Sequence, residues 1–231
     1  MRVIKAAFAL ATIIGCALVL NGASARGQDA QSKAPSKTKV VLLGTGNPGP
    51  DPDRSGPATA IVVNGTAYRV DIETRTNPDG NQRAFPEGHN VNAHEISAGV
   101  IYKDSNVTVT AFPTKHAMES YGYRFDTPDR SIVISGDTNP TQATVDACHG
   151  CDVLIHEAET PAWLATRPET FQRFAAKYHT TTPELAELAS KAKPRLLILY
   201  HYNGLSNEEL VADMLAHYSK PFVVGRDLDV Y

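Results

Sequence analysis

Three histidines and one aspartate stand where runs of β-favouring residues give out. His116 follows the run that ends at Phe112-Pro113, Asp137 follows "SIVISG", His156 closes "VLIH" and His201 closes "LLILYH". Neutral imidazole nitrogens with a carboxylate make a donor set for zinc or a similar divalent ion. Strand ends are where an α/β domain gathers its ligand-binding groups. A strand-end histidine alone is more often a hydrogen-bonded surface residue, so the argument rests on the set of four.

Two other patterns invite chemistry. Gly44-x-Gly46-x-x-Gly49 follows an apolar run and matches a dinucleotide-binding fingerprint, but that fingerprint needs a helix to start there. Pro48, Pro50, Asp51 and Pro52 forbid one. Cys148 and Cys151 form a C-x-x-C pair in "CHGC". Outside the cytosol such a pair can close a small disulfide. A redox pair wants its first cysteine at a helix N-terminus, whereas this pair sits at the end of a helix stopped by Gly150. As a zinc site it is half a set.

The elements that must position these groups fall into two halves. Strands are expected at Lys39 to Leu43, Thr59 to Val63 and Ala67 to Val70, the last two joined by an Asn64-Gly65 hairpin turn. Further strands are expected at Gly99 to Tyr102, Asn106 to Phe112, Tyr121 to Phe125 and Ser131 to Ser135. After Asp137 the pattern alternates: helix Thr141 to Cys148, strand Asp152 to Ile155, helix Ala162 to Tyr178 restarted near Pro168, then a helix capped by Thr182 and running to Ala192. Strand Arg195 to Tyr200, a helix opened by Ser206 and Glu209 as a capping box, and strand Phe222 to Val224 complete it. Strands followed by strand-helix alternation predict an α/β layered domain. The segment Ile72 to Asn90, polar and without a period, fits no element and is too long for an ordinary loop.

The N-terminus predicts export. Arg2 and Lys5 precede an apolar run from Ala6 to Leu20, and Ala23-Ser24-Ala25 has the small-x-small form of a cleavage site, so residues 1–25 read as a signal peptide. The run is shorter than the roughly 20 residues a spanning helix needs, and no stable membrane anchor is expected. Residues 26–38 read as a disordered linker and 39–231 as the domain, in the periplasm or secreted. The chain carries a net charge of −3, and losing Arg2 and Lys5 makes it more acidic. No basic run is interleaved with aromatics, so nucleic acid is an unlikely partner.

Taken with their order, "LLGTGNPGPDPDRSGPATAIVVNGTAYRVD", "KHAMESYGYRFDTPDRSIVISGDT", "CDVLIHEAE", "YHTTTPELAELASKAKPRLLILYH" and "GRDLDVY" resemble the metallo-β-lactamase-fold hydrolases, in their tRNase Z and arylsulfatase-like branch. The resemblance implies an αβ/βα sandwich with two zinc ions at one end of the sheets. It implies that His116 ligates one ion, His201 the other, and Asp137 bridges them. "HEAE" matches that branch's His-Glu-Ala-Thr motif and "HTT" its His-Ser/Thr-Thr motif, which puts His156, Glu157 and His179 in the catalytic set. Glu157 would hold His179 so that its imidazolium protonates a leaving oxygen. Glu159 for threonine and Thr180 for serine are departures. Arg54 would meet an anionic group of a small ester substrate.

The branch's His-x-His-x-Asp-His motif, expected after the strand ending at Asp71, is absent; His89 and His94 lack its spacing. The interval from Asp71 to His116 is also much shorter than the family's, and the anomalous segment near 72–90 sits in it. The fold is therefore expected to be incomplete after the third strand, with strand edges exposed. His116, Asp137 and His201 alone provide for one ion or none. Two functions are compatible with this sequence: an exported metal-dependent hydrolase of phosphate, sulfate or related esters, or a non-catalytic truncated remnant of one.

Overall fold

The computed structural model describes residues 37–47, 53–71 and 95–231, with the backbone alone for 69–71. The expected signal peptide, nearly all of the linker, the segment 72–90 and both His89 and His94 lie outside the described residues. Among the described residues no helix is long and apolar enough to cross a membrane. The linker's last residues behave as part of the domain: Thr38 is buried, and the Lys37 N–H donates to Asp129 Oδ2 at 2.6 Å.

Among the described residues ten strands form two sheets. The small sheet is an antiparallel meander of β1 (Lys39–Gly44), β2 (Ala58–Val63) and β3 (Thr66–Asp71). Its β2–β3 turn carries Asn64 and Gly65 at positive φ, the backbone that an Asn-Gly hairpin supplies at low cost. In the large sheet β4 (Gly99–Lys103), β5 (Thr108–Pro113), β6 (Tyr121–Asp126) and β7 (Ser131–Ile134) pair antiparallel. β8 (Val153–Glu159), β9 (Leu196–Asn203) and β10 (Phe222–Val224) then add in parallel. Parallel neighbours need crossovers, and helices provide them. These are α1 (Gln142–Cys148), α2 (Pro161–Ala165), α3 (Glu169–Tyr178), α4 (Thr182–Ala192) and α5 (Asn207–His217).

Strand alternation sorts the core into two layers. Val40, Leu42, Ile61 and Val63 of the small sheet meet Val109, Phe125, Ile132, Ile134, Val153, Ile155 and Ile198 of the large one. On the other face Val133, Leu154, Leu197 and Leu199 pack against Cys148, Leu185, Leu188, Leu210 and Met214 from α1, α4 and α5. Cys148 and Cys151 form a disulfide inside this helix-side core. Among the described residues α1, α4 and α5 form one helix layer, and no helix covers the outer face of the small sheet. β4 is exposed along its whole length, with Val100 63% and Tyr102 48% accessible.

Three expected boundaries shift. α4 is capped by Thr181, not Thr182: Glu184 Oε2 accepts from the Thr181 N–H at 2.9 Å, completing a capping box, and Pro183 lies in the first turn. The helical stretch after residue 160 is interrupted at Pro168, as expected, giving α2 and α3. β8 and β9 each run three or four residues beyond their expected ends, because they go on pairing as Ala158 with Tyr202 and Glu159 with Asn203. His156 and His201 therefore lie within strands.

Leu154 is fully buried between the large sheet and the helices. Leu154→Ala is expected to destabilise the domain by about 2–5 kcal/mol, seen as a lower urea midpoint with unchanged slope; a shift of a few tenths of a kcal/mol would contradict this core assignment.

Candidate functional site

The extensions of β8 and β9 build the site. Glu157 and Glu159 share one face of β8, opposite to Leu154 and Ala158 of the helix-side core. Glu157 is fully buried. Its Oε1 accepts the Thr138 N–H, and its Oε2 faces His179 Nδ1 at 2.8 Å. Burial pushes the Glu157 carboxyl well above the ordinary carboxylate range and the charges of Asp137 and Glu159 add to this; the N–H bonds from Thr138 and Thr180 work against it. His179 follows the last turn of α3, and its segment is fastened at several points. The Glu159 N–H donates to Thr180 O at 2.9 Å, Thr180 Oγ1 to Thr138 O at 2.6 Å, and Asn139 Nδ2 to His179 O at 3.1 Å. With Nδ1 committed to Glu157, the imidazole lies beside His116 and His201, their ring centroids 5.2 and 6.5 Å from its own.

His201 is held by unusual backbone. Its φ is +46°, a left-handed conformation that costs a non-glycine residue about 1 kcal/mol or more. The register between β8 and β9 shifts at this point. The bulge re-aims the ring, which lies with Nδ1 3.1 Å from Gly46 O and Nε2 3.4 Å from Asp137 Oδ1. A carbonyl only accepts, so Nδ1 carries the proton and Nε2 presents its lone pair to the carboxylate. Burial lowers His201 below the usual histidine range, with Asp137 pulling the other way. Asp137 is delivered by Gly136, whose φ of +66° turns the chain out of β7. His116 closes the group from the loop after β5. Its ring centroid is 5.2 Å from that of His179, and burial lowers its affinity for protons against the pull of Asp137.

The structure thus brings His116, Asp137, Glu157, His179 and His201 to one end of the sheets. It does not bring His156, which alternation turns to the helix side. There its Nδ1 lies 2.9 Å from Glu157 O while its Nε2 is buried without a partner. Placing His156 in the catalytic set is corrected on this ground. Arg54 lies outside the cluster, over the Tyr202 ring at 4.6 Å, with Nη1 donating to Tyr202 O at 3.3 Å. The glycine-rich stretch is no nucleotide loop. Residues 45–47 are not helical, and a Cβ on Gly44 would lie 2.0 Å from Gly56 O, so glycine there permits two backbones to touch.

Sequence reading passed over Glu159 as a mild departure, yet its carboxyl group is buried toward this cluster. Oε1 accepts from Asn203 Nδ2 at 3.2 Å and Oε2 has no partner. Burial raises it and His179 lowers it. A glutamate two residues from Glu157 on one strand shares its face, and that was the available signal.

The donor chemistry can be tested against the family's ions. Asp137 Oδ1 is buried without a hydrogen-bond partner and faces the His201 lone pair, a pair of acceptors suited to a cation. A pair is not a ligand set. Among the described residues no group of three or more His, Cys, Asp or Glu side chains is arranged to hold a metal ion, so a two-ion centre does not fit the residues described.

Comparison with known proteins agrees with the architecture. The family described as "Beta-lactamase superfamily domain" matches residues 62–202. A ribonuclease Z from Mycobacterium sp. (strain KMS) is 33% identical over 150 residues, covering 64% of this chain and 51% of that protein. The chain thus spans about half the length of that relative. The metallo-β-lactamase fold protein YhfI from Bacillus subtilis superposes with a TM-score of 0.66 at 13% identity, over 84% of this chain and 98% of its own. A diphosphatase from the PhnP family does so with a TM-score of 0.58 at 17% identity, over 84% and 97%.

His156 gives a pH test. Burial lowers it from 6.5 to about 4, so between these values the unfolded chain binds a proton that the folded chain does not. Stability contributed by the neutral ring is complete above pH 6.5 and is lost as pH falls toward 4, by up to about 3 kcal/mol. In urea titrations at pH 7, 5.5 and 4.5, His156→Gln is expected to lose less stability on acidification than the parent; parallel profiles would contradict this.

Proposed function

Since this chain belongs to the β-lactamase superfamily, on the branch that carries the ribonuclease Z proteins, we propose that it is an exported hydrolase of phosphate or related esters with His179 as its general acid. The observation that carries the reading is the Glu157–His179 pair, 2.8 Å apart with Glu157 fully buried. Glu157 fixes the ring's orientation through Nδ1. The outward nitrogen can then pass a proton to the leaving oxygen of an ester lodged among His116, Asp137 and His201. Thr138 and Thr180 keep the carboxylate from turning away. Arg54, braced on Tyr202, is placed to pair with the ester's anionic oxygens. Export is supported by the signal-like N-terminus and by the Cys148–Cys151 disulfide, a bond that persists in oxidising compartments.

One observation favours a second reading. The acid pair is assembled while the described residues offer no three-group metal set. A superfamily member with only that part of its site is a non-catalytic remnant of such a hydrolase.

One experiment separates the two readings. Full-length chain incubated with zinc is expected to hydrolyse diphenyl phosphate, whose phenolate leaves poorly unless protonated, and His179→Asn, whose amide can still donate to Glu157, to lower kcat by about 10²–10⁴-fold while the chain stays folded. Binding of about two zinc ions per chain, by elemental analysis, would remove the remnant reading. No bound zinc and no turnover above buffer would remove the hydrolase reading.

A further inference from the structure

Beside the acid cluster lies a cavity of about 500 Å³ whose lining includes Arg54, Trp163, Tyr202, Asn203, Asn207 and Arg226. It joins the cluster along β9, where Tyr202 and Asn203 follow His201, and through Asn203, whose amide donates to Glu159 Oε1. Its parts come from distant segments held in place. Arg54 is stacked on Tyr202 and bonded to its carbonyl. Asn203 accepts from Asn47 Nδ2 at 2.6 Å. Arg226 follows Gly225, where a Cβ would lie 2.4 Å from Leu42 Cδ1, so the chain is pressed against the core there. The Trp163 backbone N–H donates to the Thr160 hydroxyl at 3.2 Å, and its ring is packed by Phe171 edge-on at 5.8 Å and by the Arg167 guanidinium 4.8 Å from its centroid.

Asp53 and Asp227 also line the cavity. The Asp227 carboxylate is turned to the backbone: Oδ1 accepts from the Thr45 N–H and hydroxyl, both at 2.8 Å, and Oδ2 from the Ser55 N–H at 2.6 Å. Two guanidinium groups, two primary amides and one immobilised indole thus border one space. Guanidinium recognises phosphate by paired hydrogen bonds, amides bond ring or sugar polar atoms, and an indole offers a flat apolar face.

From this arrangement we infer that the cavity binds a flat aromatic ring carrying a phosphate, with Arg54 and Arg226 on the phosphate and Trp163 on the ring. The inference rests on the phosphate-ester reading for its anionic group and defines what that phosphate is attached to. Ligands of this chemistry are aryl phosphates and nucleotides.

Trp163 is the chain's single tryptophan, so its emission reports the site directly. Phenylphosphonate and methylphosphonate share the anion, differ in the ring, and contain no ester to hydrolyse. Titration of full-length chain with phenylphosphonate is expected to change the emission and to give an affinity about tenfold above that of methylphosphonate. Followed by calorimetry, Trp163→Leu is expected to reduce phenylphosphonate to the methylphosphonate level, and Arg226→Ala to weaken both by about tenfold. Adenosine 5′-monophosphate binding more tightly than phenylphosphonate would assign the ring to a nucleobase; equal binding would assign it to any aryl group. Equal affinity for the two phosphonates, measured on the parent chain and so independent of whether variants fold, would overturn the inference. So would unchanged emission on binding. A ring preference in a chain that hydrolyses no ester would leave this inference standing and remove the hydrolase reading; hydrolysis without ring preference would do the reverse.

Discussion

The site depends on one carboxylate taken out of water. Glu157 is fully buried, and such a group is tolerable only when its oxygens are bonded. One oxygen takes the Thr138 N–H and the other faces His179. These two contacts tie the segment after β7 to the segment after α3 across the end of β8. Thr180, bonded to Thr138 O, closes the same junction from the backbone side. Removing Glu157 would therefore remove the common acceptor that fixes where Asp137 and His179 can stand, and so alter more than the ring it holds.

The junction also shows why the acid part of the site can exist without the rest. Its members come from β7, β8, β9 and the start of α4, all within the half of the chain where parallel strands and helices alternate. That half carries the helix-side core, with Leu154, Leu185, Leu197 and the Cys148–Cys151 disulfide packed together. It has its own apolar burial and does not need the small sheet's outer face to be covered. The histidine-rich motif that the family resemblance leads one to expect between β3 and β4 is not in the sequence of that interval.

Much of this was legible from local pattern. Period-two apolar runs, Asn64-Gly65, Pro168 and Ser206 placed the strands, hairpin and helix starts within a few residues, because those signals act over neighbouring positions. The ends of β8 and β9 were not legible, since they are set by pairing between residues about 45 apart. His156 was misassigned for the same reason: as the last residue of a strand it could point anywhere, but inside a strand its side is fixed by Leu154 and Ala158. The left-handed His201 has no sequence signature, because the strain is sustained by tertiary contacts of Gly46 and Asp137. His116 and Asp137 were picked out by their place after strands, whereas His179 was added only through the resemblance, as its distance in sequence from them exceeds any local rule.

The cavity and the acid cluster then divide a recognition problem between two physical regimes. In the cluster Glu157, Glu159 and His201 are buried and His116, Asp137 and His179 partly so, and the proton affinities of His116, His201, Glu157 and Glu159 depart from their ordinary values with burial as the first cause. Such a place suits proton movement and is poor at attracting a ligand, since its carboxylates repel anions. The cavity supplies guanidinium charge and an aromatic surface where water still reaches. An anionic ester could be drawn by Arg54 and Arg226 before any part of it met Asp137. Asn203 spans the two regimes, lining the cavity while its amide holds Glu159, so a ligand that moves Asn203 would also move the Glu159 carboxylate.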